Sequence, residues 1–383
     1  MESRLQERSN KLRTIHRPRP ESLWGFDLAH AITTGFSDEQ LESLCSPLAG
    51  GRDVRLRRRP FIQADWKTEH YSFGRLYRNW LNLPWYIPLG FSGDHGFERR
   101  LELLPHEQNT PFQYHVTFSE QRANYHRDNK EKNVILAPHP WVVYRRRVRY
   151  EIKPEASGSL IFIPHESEVA RFEAYDWAEH FSRISQEPSF PTPRAICLSG
   201  SDIFFRKRHL EFRSFGLPIV TAGDQSSPYV VDRFYSLVSQ FRACASSNPG
   251  SEMLYTTEMG HDFWCTDTTS SWPILKTSET YYYADGRVVP EPGSADDLVQ
   301  QETVRIFGDR TSSFHDRLEF VKQFLGMNAD EEQARRRLRR VTLINLIKRP
   351  HGTVSAYCRS VVAGVKLLLR YFRFKVQNRL FQG

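Results

Sequence analysis

Four short apolar runs in this chain each end in a turn of small, polar or histidine-containing residues. Residues 160–163 lead into Pro-His-Glu-Ser, residues 195–198 into Ser-Gly-Ser-Asp, residues 217–220 into Thr-Ala-Gly-Asp, and residues 243–245 into Ser-Ser-Asn-Pro-Gly-Ser-Glu. Segments with helical periodicity separate several of these runs, so the pattern predicts an α/β fold with a parallel sheet. Open parallel sheets bind ligands at the carboxyl ends of their strands, so the residues of the four turns are candidates for ligand binding.

The last of these turns has the features of an anion site. Apolar residues at helical spacing occupy 230–241, residues 243–245 suit a short buried strand, and a second helix is predicted from Met253 to Met259. The start of a helix offers free N–H groups and a favourable dipole to a phosphate. Ser247 and Ser251 add hydroxyl donors, and Gly250 permits close approach of a ligand. A helix that is capped by Ser251 and binds nothing fits the same pattern.

A similar alternation precedes a linker-like segment at 153–158. Strands are predicted at 83–89, 112–118 and 134–137; the first ends in a glycine-rich turn, the third in Pro-His-Pro. A hairpin is predicted at 281–289. We therefore expect two Rossmann-like domains, over residues 1–155 and 156–330, that face each other across a cleft.

Composition narrows the function classes. The 383 residues are 39% hydrophobic and 13% aromatic, enough for real cores. The five cysteines are scattered without a C-x-x-C pair, which favours reduced thiols in the cytosol and argues against a zinc site. The first residues lack the apolar core of a signal peptide, and no apolar run reaches the length of a membrane span.

The positive charge is concentrated at one end of the chain. Residues 335–383 contain 13 Lys or Arg and no Asp or Glu. Subtracting these from the 53 basic residues leaves 40 against 45 acidic residues in the rest of the chain, a net charge of −5. Residues 331–383 are predicted to form a basic amphipathic helical tail. The apolar stripe of this tail consists of Val361, Val365, Leu368 and Phe372. Its basic face consists of Lys366, Arg370 and Arg373.

Such a helix is typical of one that lies in an anionic membrane surface. A helix packed on the protein body with its basic face in solvent remains an alternative. Nucleic acid ranks lower as a partner, because the body is net acidic and no nucleic-acid module is visible.

The order of the strand-end motifs resembles GT-B-fold glycosyltransferases of bacterial surface-polysaccharide assembly over roughly residues 80–265. It is most similar to the sialyl- and polysialyltransferases and the CDP-glycerol glycerophosphotransferases. This resemblance implies a GT-B-like fold of two facing Rossmann-like domains, with residues 1–155 as the N-terminal acceptor-side domain and residues 156–330 as the nucleotide-donor-binding domain. Chains of that fold often end in a helix that packs back on the N-terminal domain.

The resemblance also implies roles for particular residues. Asp94 and His95 match the position of an acceptor-side base, which deprotonates the attacking sugar hydroxyl. His139 resembles a His-Pro motif that contacts the donor nucleotide, although here it precedes the linker. His165, in the first strand-end turn of the second half, is the preferred phosphate or base contact, and Glu258 resembles the acidic residue that holds the donor ribose. For each histidine a hydrogen-bonded structural role is an alternative, and for Glu258 a solvated helix surface.

Metal-ligand spacing is absent from the sequence, and the aspartates lack an Asp-x-Asp pair, so we predict neither a metal nor a cofactor. The hypothesis is a glycosyltransferase of surface-polysaccharide (capsule) biosynthesis, peripheral at the cytoplasmic face of the cell membrane. It would move a sugar from a nucleotide-activated donor to a glycan or lipid-linked acceptor. A CDP-polyol phosphotransferase, a sugar-nucleotide epimerase, and a non-enzymatic nucleic-acid-binding or scaffold protein that uses the basic tail remain alternatives.

Overall fold

The computed structural model divides the chain between two parallel sheets that share one hydrophobic core. It describes residues 18–46, 68–94, 96–98, 101, 110, 112–129, 133–165, 176–188, 190–247, 249–266, 274–277, 280–283, 295–308 and 311–348, and the helical positions 358, 362, 365 and 369. The α/β class with parallel sheets is therefore as the sequence predicts.

The elements of the first half surround the smaller sheet. They are α1 (Pro20–Trp24), α2 (Leu28–Thr34), α3 (Asp38–Cys45), α4 (Phe73–Trp80), β1 (Ser92–Gly93), β2 (Tyr114–Thr117), α5 (Glu120–Asn129), β3 (Asn133–Leu136) and α6 (Pro140–Val148). The three strands are parallel in the order β1-β2-β3, with His115 opposite Ser92 and Val134 opposite His115.

The second half contains the larger sheet and the helices that follow it. Its elements are β4 (Ser159–Phe162), α7 (Trp177–Gln186), β5 (Arg194–Cys197), α8 (Gly200–Arg206), α9 (Arg208–Phe212), β6 (Ile219–Val220), α10 (Val230–Val238), β7 (Ala243–Ser246), α11 (Ser251–Met259), β8 (Asp262–Cys265), β9 (Ile274–Thr277), β10 (Thr280–Tyr283), α12 (Ala295–Phe307), α13 (Phe314–Phe324) and α14 (Glu331–Lys348).

Strand order in the larger sheet creates a switch point. The five parallel strands run β6-β5-β4-β7-β8, so the chain moves outward from β4 through β5 to β6 and then returns to the other side of β4. β4 therefore lies between β5 and β7, with Phe162 opposite both Cys197 and Ser246. A crevice between the ends of β4 and β7 is where open sheets of this kind bind ligands.

The predicted boundary at residue 155 separates the two sheets, but contacts cross it in both directions. The α1–α3 segment lies on the larger sheet: Phe36 N–H donates to the Ile219 carbonyl at 2.8 Å and Asp224 N–H to the Leu44 carbonyl at 2.9 Å. Conversely, the segment after α13 lies on the smaller sheet, where His139 N–H donates to the Leu325 carbonyl at 2.9 Å. Each sheet is thus covered partly by helices from the other end of the chain.

Part of the predicted basic tail is a packed helix. Within α14, Ala334, Leu338, Val341 and Thr342 are buried, while the helix carries exposed arginines on its other side. The N-terminal end of α14 is fixed to the first half, because Trp80 Nε1 donates to Glu331 Oε1 at 3.0 Å. The basic residues Lys366, Arg370 and Arg373 lie outside the described residues.

One sequence prediction of local structure is wrong. Residues 83–89 are not a strand but an irregular loop, because Pro84 and Pro88 remove N–H donors that a strand would need. Residues 280–283 pair antiparallel with residues 274–277, whereas residues 284–289 of the predicted hairpin lie outside the described residues. Among the described residues, no helix is long and apolar enough to cross a bilayer.

Candidate functional site

The turns that the sequence singled out meet at one edge of the larger sheet. Its five strands are parallel, so the residues after β4, β5, β6 and β7 all leave the same edge. His165 follows β4 and is exposed, whereas Ser247 follows β7 and is buried. These two residues flank the switch point, which fits the predicted location of a phosphate contact at His165.

Backbone contacts occupy the turns after β5 and β6. A Cβ atom added to Gly200 would collide with the Gly223 carbonyl and lie 2.8 Å from the Asp224 nitrogen. Gly223 itself has a φ of +85°, a conformation that favours glycine. The side chain of Asp224 accepts from Ser226 N–H at 2.8 Å. Close approach of two backbones therefore accounts for the Gly-containing motifs here without any ligand.

Asp202, in the first turn of α8, is also accounted for by protein contacts. It is fully buried, with Arg206 Nη1 at 2.8 Å and Arg208 Nη1 at 3.6 Å. Its pKa is raised, because burial outweighs the attraction of Arg208, His165 and Arg206 for the ionised form.

Polar atoms without a partner lie at the end of β7. The hydroxyls of Ser246 and Ser247 are buried, and neither has a hydrogen-bond partner among the described residues. An unpaired buried hydroxyl costs about 1–3 kcal/mol, so proteins rarely retain two adjacent ones without use. Thr257 and Tyr235 also carry unpartnered hydroxyls, but these lie within helices and away from the strand ends.

The helix that follows these serines begins without a side-chain cap. Gly250 is the N-cap residue of α11 and Ser251 is its first helical residue, so the alternative in which Ser251 caps the helix is wrong. The Glu252 carboxylate lies over Gly250, where any side chain at position 250 would meet it. This carboxylate occupies part of the space that an anion at the helix start would take, and a bound phosphate requires it to move.

Ser251 connects the two sheets instead of capping the helix. Its Oγ accepts a hydrogen bond from Phe97 N–H at 3.0 Å, and Gly96 packs so closely against it that a Cβ atom there would collide with that oxygen. Gly96 has a φ of +102°. The predicted acceptor-side turn and the predicted donor-side turn are therefore in direct contact.

Asp94, the predicted base, is buried at the carboxyl end of β1. It accepts from Thr117 Oγ1 at 2.5 Å, lies 2.8 Å from His115 Nε2 and forms an ion pair with Arg122 Nη1. Burial opposes its ionisation, but Arg122, His115 and Thr117 hold the pKa of Asp94 well below its ordinary value. A carboxylate so paired is a weak proton acceptor, so this geometry does not favour it as a general base. His95 lies outside the described residues.

His139 is part of a buried hydrogen-bonded chain. Its Nδ1 accepts from Trp141 N–H at 3.2 Å, which leaves the proton of the neutral ring on Nε2 to be donated to Tyr255 Oη, 3.0 Å away. Tyr255 also hydrogen-bonds Ser251, and burial raises its pKa far above the ordinary value. His139 thus contacts α11 through Tyr255, and its placement supports the alternative of a hydrogen-bonded structural role.

Glu258 has other partners than the predicted ribose. Arg145 donates to both of its oxygens at 2.8 Å and 2.7 Å, and Arg146 Nε donates to Oε1 at 3.0 Å. The residue is buried and lies seven positions after Ser251, about 10 Å along the helix from its start. It joins α11 to α6, and this geometry does not support contact with a ligand at the switch point.

Tyr71 is a candidate that sequence patterns did not reveal. It has a φ of +49°, and its Oη donates to Gln225 Oε1 at 2.9 Å. Burial raises the pKa of Tyr71 to about 12, with Asp224, Glu252 and Asp202 adding to the rise. A left-handed conformation in a tyrosine is strained, and such strain is concentrated at functional sites. In the sequence, Tyr71 is followed only by a serine and lies in no recognised motif, which is too weak a signal to single it out.

No group of His, Cys, Asp and Glu in the described part of the chain has a geometry that would hold a metal ion. Comparison with protein families, with curated proteins and with solved structures finds no significant match to the chain. The geometry of the site consists of two unpartnered hydroxyls, a helix start without a side-chain cap, and a turn after β1 that contacts this helix start through Ser251.

Proposed function

We propose that this protein is a metal-independent glycosyltransferase that binds the phosphate of a nucleotide-sugar donor at Ser246, Ser247 and the start of α11. The observation that carries the proposal is the pair of buried hydroxyls without partners at the switch point of the larger sheet. Phosphate oxygens accept hydrogen bonds from hydroxyls and from the N–H groups of a helix start, whose dipole favours negative charge. A GT-B-like arrangement of the two sheets is part of the proposal.

In the proposed reaction the bond between the anomeric carbon and the donor phosphate oxygen breaks, and the acceptor oxygen forms a new bond to that carbon. The departing phosphate gains negative charge, which Ser247 and the α11 amides stabilise. His165, on the other side of the switch point, is the proposed additional phosphate contact. Glu252 must turn away from Gly250 before the phosphate binds.

The acceptor hydroxyl loses a proton to a base on the edge of the smaller sheet. Asp94 is poorly suited to that task because Arg122 neutralises it. His95 remains the predicted base in the same turn. The acceptor is proposed to be a glycan or a lipid-linked glycan, reached from the cytoplasmic face of the cell membrane.

Thermal unfolding with nucleotides tests the proposal. A ligand selective for the native state at a hundredfold excess over its Kd adds about 2.7 kcal/mol, which raises the melting temperature of a chain this size by roughly 3 °C. UDP, CDP and CMP are the probes. Ser247→Ala should weaken binding about tenfold or more, since hydrogen bonds to charged groups contribute about 1.5–3 kcal/mol.

Thr257→Val is the matched control. It removes another buried, unpartnered hydroxyl from α11 but lies away from the switch point, so nucleotide affinity should not change. If none of the nucleotides stabilises the parent at millimolar concentration, or if the two variants lose affinity equally, the donor site is not here. A response to CDP alone would favour transfer of a polyol phosphate.

A further inference from the structure

An apolar patch remains uncovered at the C-terminal end of α14. Leu343, Ile344 and Ile347 are all exposed, Ile347 by 78% of its surface. These positions lie on one side of the helix, whereas Val341 and Thr342 are buried against the protein body. α14 is thus apolar on two sides, and only one of them is covered by described residues.

A rigid aromatic loop lies beside this patch. Gly90 N–H donates to Thr342 Oγ1 at 3.4 Å, and a Cβ atom on Gly90 would lie 2.8 Å from the Thr342 Cα atom. The same loop carries Trp85 and Tyr86, exposed by 53% and 47%, whose rings meet edge to face at 5.7 Å. Trp85 is five residues from Gly90 and therefore within about 18 Å of that contact.

The loop is held in place by a buried ion pair. Arg78 donates through Nε to the Ile87 carbonyl at 2.7 Å, and its two terminal nitrogens donate to both oxygens of Glu69. The loop that carries Trp85 and Tyr86 is therefore held to α4 by these hydrogen bonds.

Positive charge surrounds the apolar patch. Arg339 and Arg340 are exposed one turn before Leu343, and Lys348 is exposed directly after Ile347. Residues 335–383 contain no acidic side chain. Cys358, Val362, Val365 and Leu369 continue the apolar character as exposed helical positions at spacings of four, three and four residues.

We propose that the end of α14 and the Trp85–Tyr86 loop form a docking surface for an anionic lipid bilayer. Leu343, Ile344 and Ile347 enter the interfacial region of the lipid, where Trp and Tyr rings are also favoured. Arg339, Arg340 and Lys348 contact the lipid headgroups. The proposal does not depend on the proposed enzymatic function.

The basic residues around the apolar patch favour an anionic bilayer over a second copy of this chain as the partner. In a symmetric dimer through this patch, the same basic residues would face each other across a dry interface, which is unfavourable. An anionic bilayer satisfies both features at once, since it takes apolar side chains into its interface and attracts the flanking cations.

Sedimentation of the full chain with vesicles tests the surface. Vesicles of phosphatidylcholine with 30% phosphatidylserine should bind the parent, and vesicles of phosphatidylcholine alone should bind it far more weakly. Replacing Arg339, Arg340 and Lys348 with Gln should lower the partition coefficient on the order of a hundredfold, because each basic residue contributes about a factor of five. Leu343→Glu with Ile347→Glu should abolish binding although residues 349–383 remain.

Leu210→Glu and Leu298→Glu are the matched controls, since both leucines are 57% exposed in other helices. These variants should sediment like the parent. A second measurement avoids any folding defect: brominated lipids should quench the parent's tryptophan fluorescence, and Trp85→Phe should remove most of the quenching.

The proposal is overturned if the Leu343→Glu, Ile347→Glu double variant binds like the parent, which would assign any binding to residues after 348. It is also overturned if parent quenching does not depend on Trp85, if neutral vesicles bind equally well, or if light scattering shows that the patch holds two copies together.

Discussion

The carboxyl edges of the two sheets have opposite hydrogen-bonding states. At the edge of the smaller sheet, Asp94 is engaged by His115, Thr117 and Arg122. At the switch point of the larger sheet, Ser246 and Ser247 are equally buried but have no partner among the described residues. Asp94 and Ser247 both follow strand ends, and both looked functional in the sequence.

This difference separates structural from ligand-binding polar groups. A saturated network stabilises the fold and gains nothing from a ligand, whereas an unsatisfied group gains when a ligand supplies the missing partner. The contrast therefore predicts that mutations at the smaller sheet change stability, and that mutations at the larger sheet change ligand affinity.

The largest expected effect belongs to Asp94→Asn. This change keeps the shape of the side chain but removes the charge that pairs with Arg122, and breaking a buried ion pair typically costs about 3–5 kcal/mol. The midpoint of urea unfolding should fall accordingly. A variant of unchanged stability that loses transfer activity would reverse the assignment and restore Asp94 as a base.

The same comparison gives a pH dependence. The pKa of Asp94 in the folded state is below its ordinary value, so its contribution to stability is present above the unfolded pKa and is lost as pH falls through the folded pKa. The stability difference between parent and Asp94→Asn should therefore shrink below about pH 4. Urea unfolding at pH 7, 5 and 3.5 measures it, and a difference that grows toward low pH would contradict the ion pair.

An intermediate effect is expected for Glu258→Gln. Hydrogen bonds to a charged group contribute about 1.5–3 kcal/mol, and this change removes the charge that Arg145 and Arg146 share. Stability should fall while nucleotide affinity stays at the parental level. Lost nucleotide affinity in a folded Glu258→Gln protein would return this residue to the donor site.

The smallest effect on stability is expected for Ser247→Ala. Its hydroxyl makes no hydrogen bond in the described structure, so removing it should leave stability within about 1 kcal/mol of the parent, or raise it slightly. Isothermal unfolding without nucleotide measures this. A loss as large as that of Asp94→Asn would mean that the hydroxyl has a partner and that the contrast between the two edges does not hold.

Sequence patterns located the larger sheet well. Buried parallel strands are short apolar runs bounded by polar turns, and the predictions at 160–163 and 195–198 lie within one residue of β4 and β5. The failure at 83–89 has a local cause, since apolar composition outweighed Pro84 and Pro88. The pairing order β6-β5-β4-β7-β8, and with it the switch point, depends on contacts distant in sequence.

The sequence predicted where the candidate site residues lie, but not whether their polar groups have hydrogen-bond partners. The sequence identified Asp94, Glu258 and Ser247 as polar residues near strand ends or on the following helix. It did not show that Arg122 and Arg145 reach the first two, because those partners are 28 and 113 positions away. Whether a hydroxyl is satisfied depends on every neighbour, so only three-dimensional contacts distinguished Ser247 from Asp94.

The exchange of helices between the two sheets has a consequence for biosynthesis. The smaller sheet is complete in the nascent chain by residue 136, but α14, which covers it, emerges almost two hundred residues later. Chains are synthesised at about 5–20 residues per second, and until α14 has been made the apolar surface of the smaller sheet is exposed to water. We expect residues 1–155 made alone to be insoluble, and to become soluble when residues 311–348 are supplied as a second chain. A soluble, protease-resistant fragment of residues 1–155 would show that the N-terminal half folds without residues 311–348.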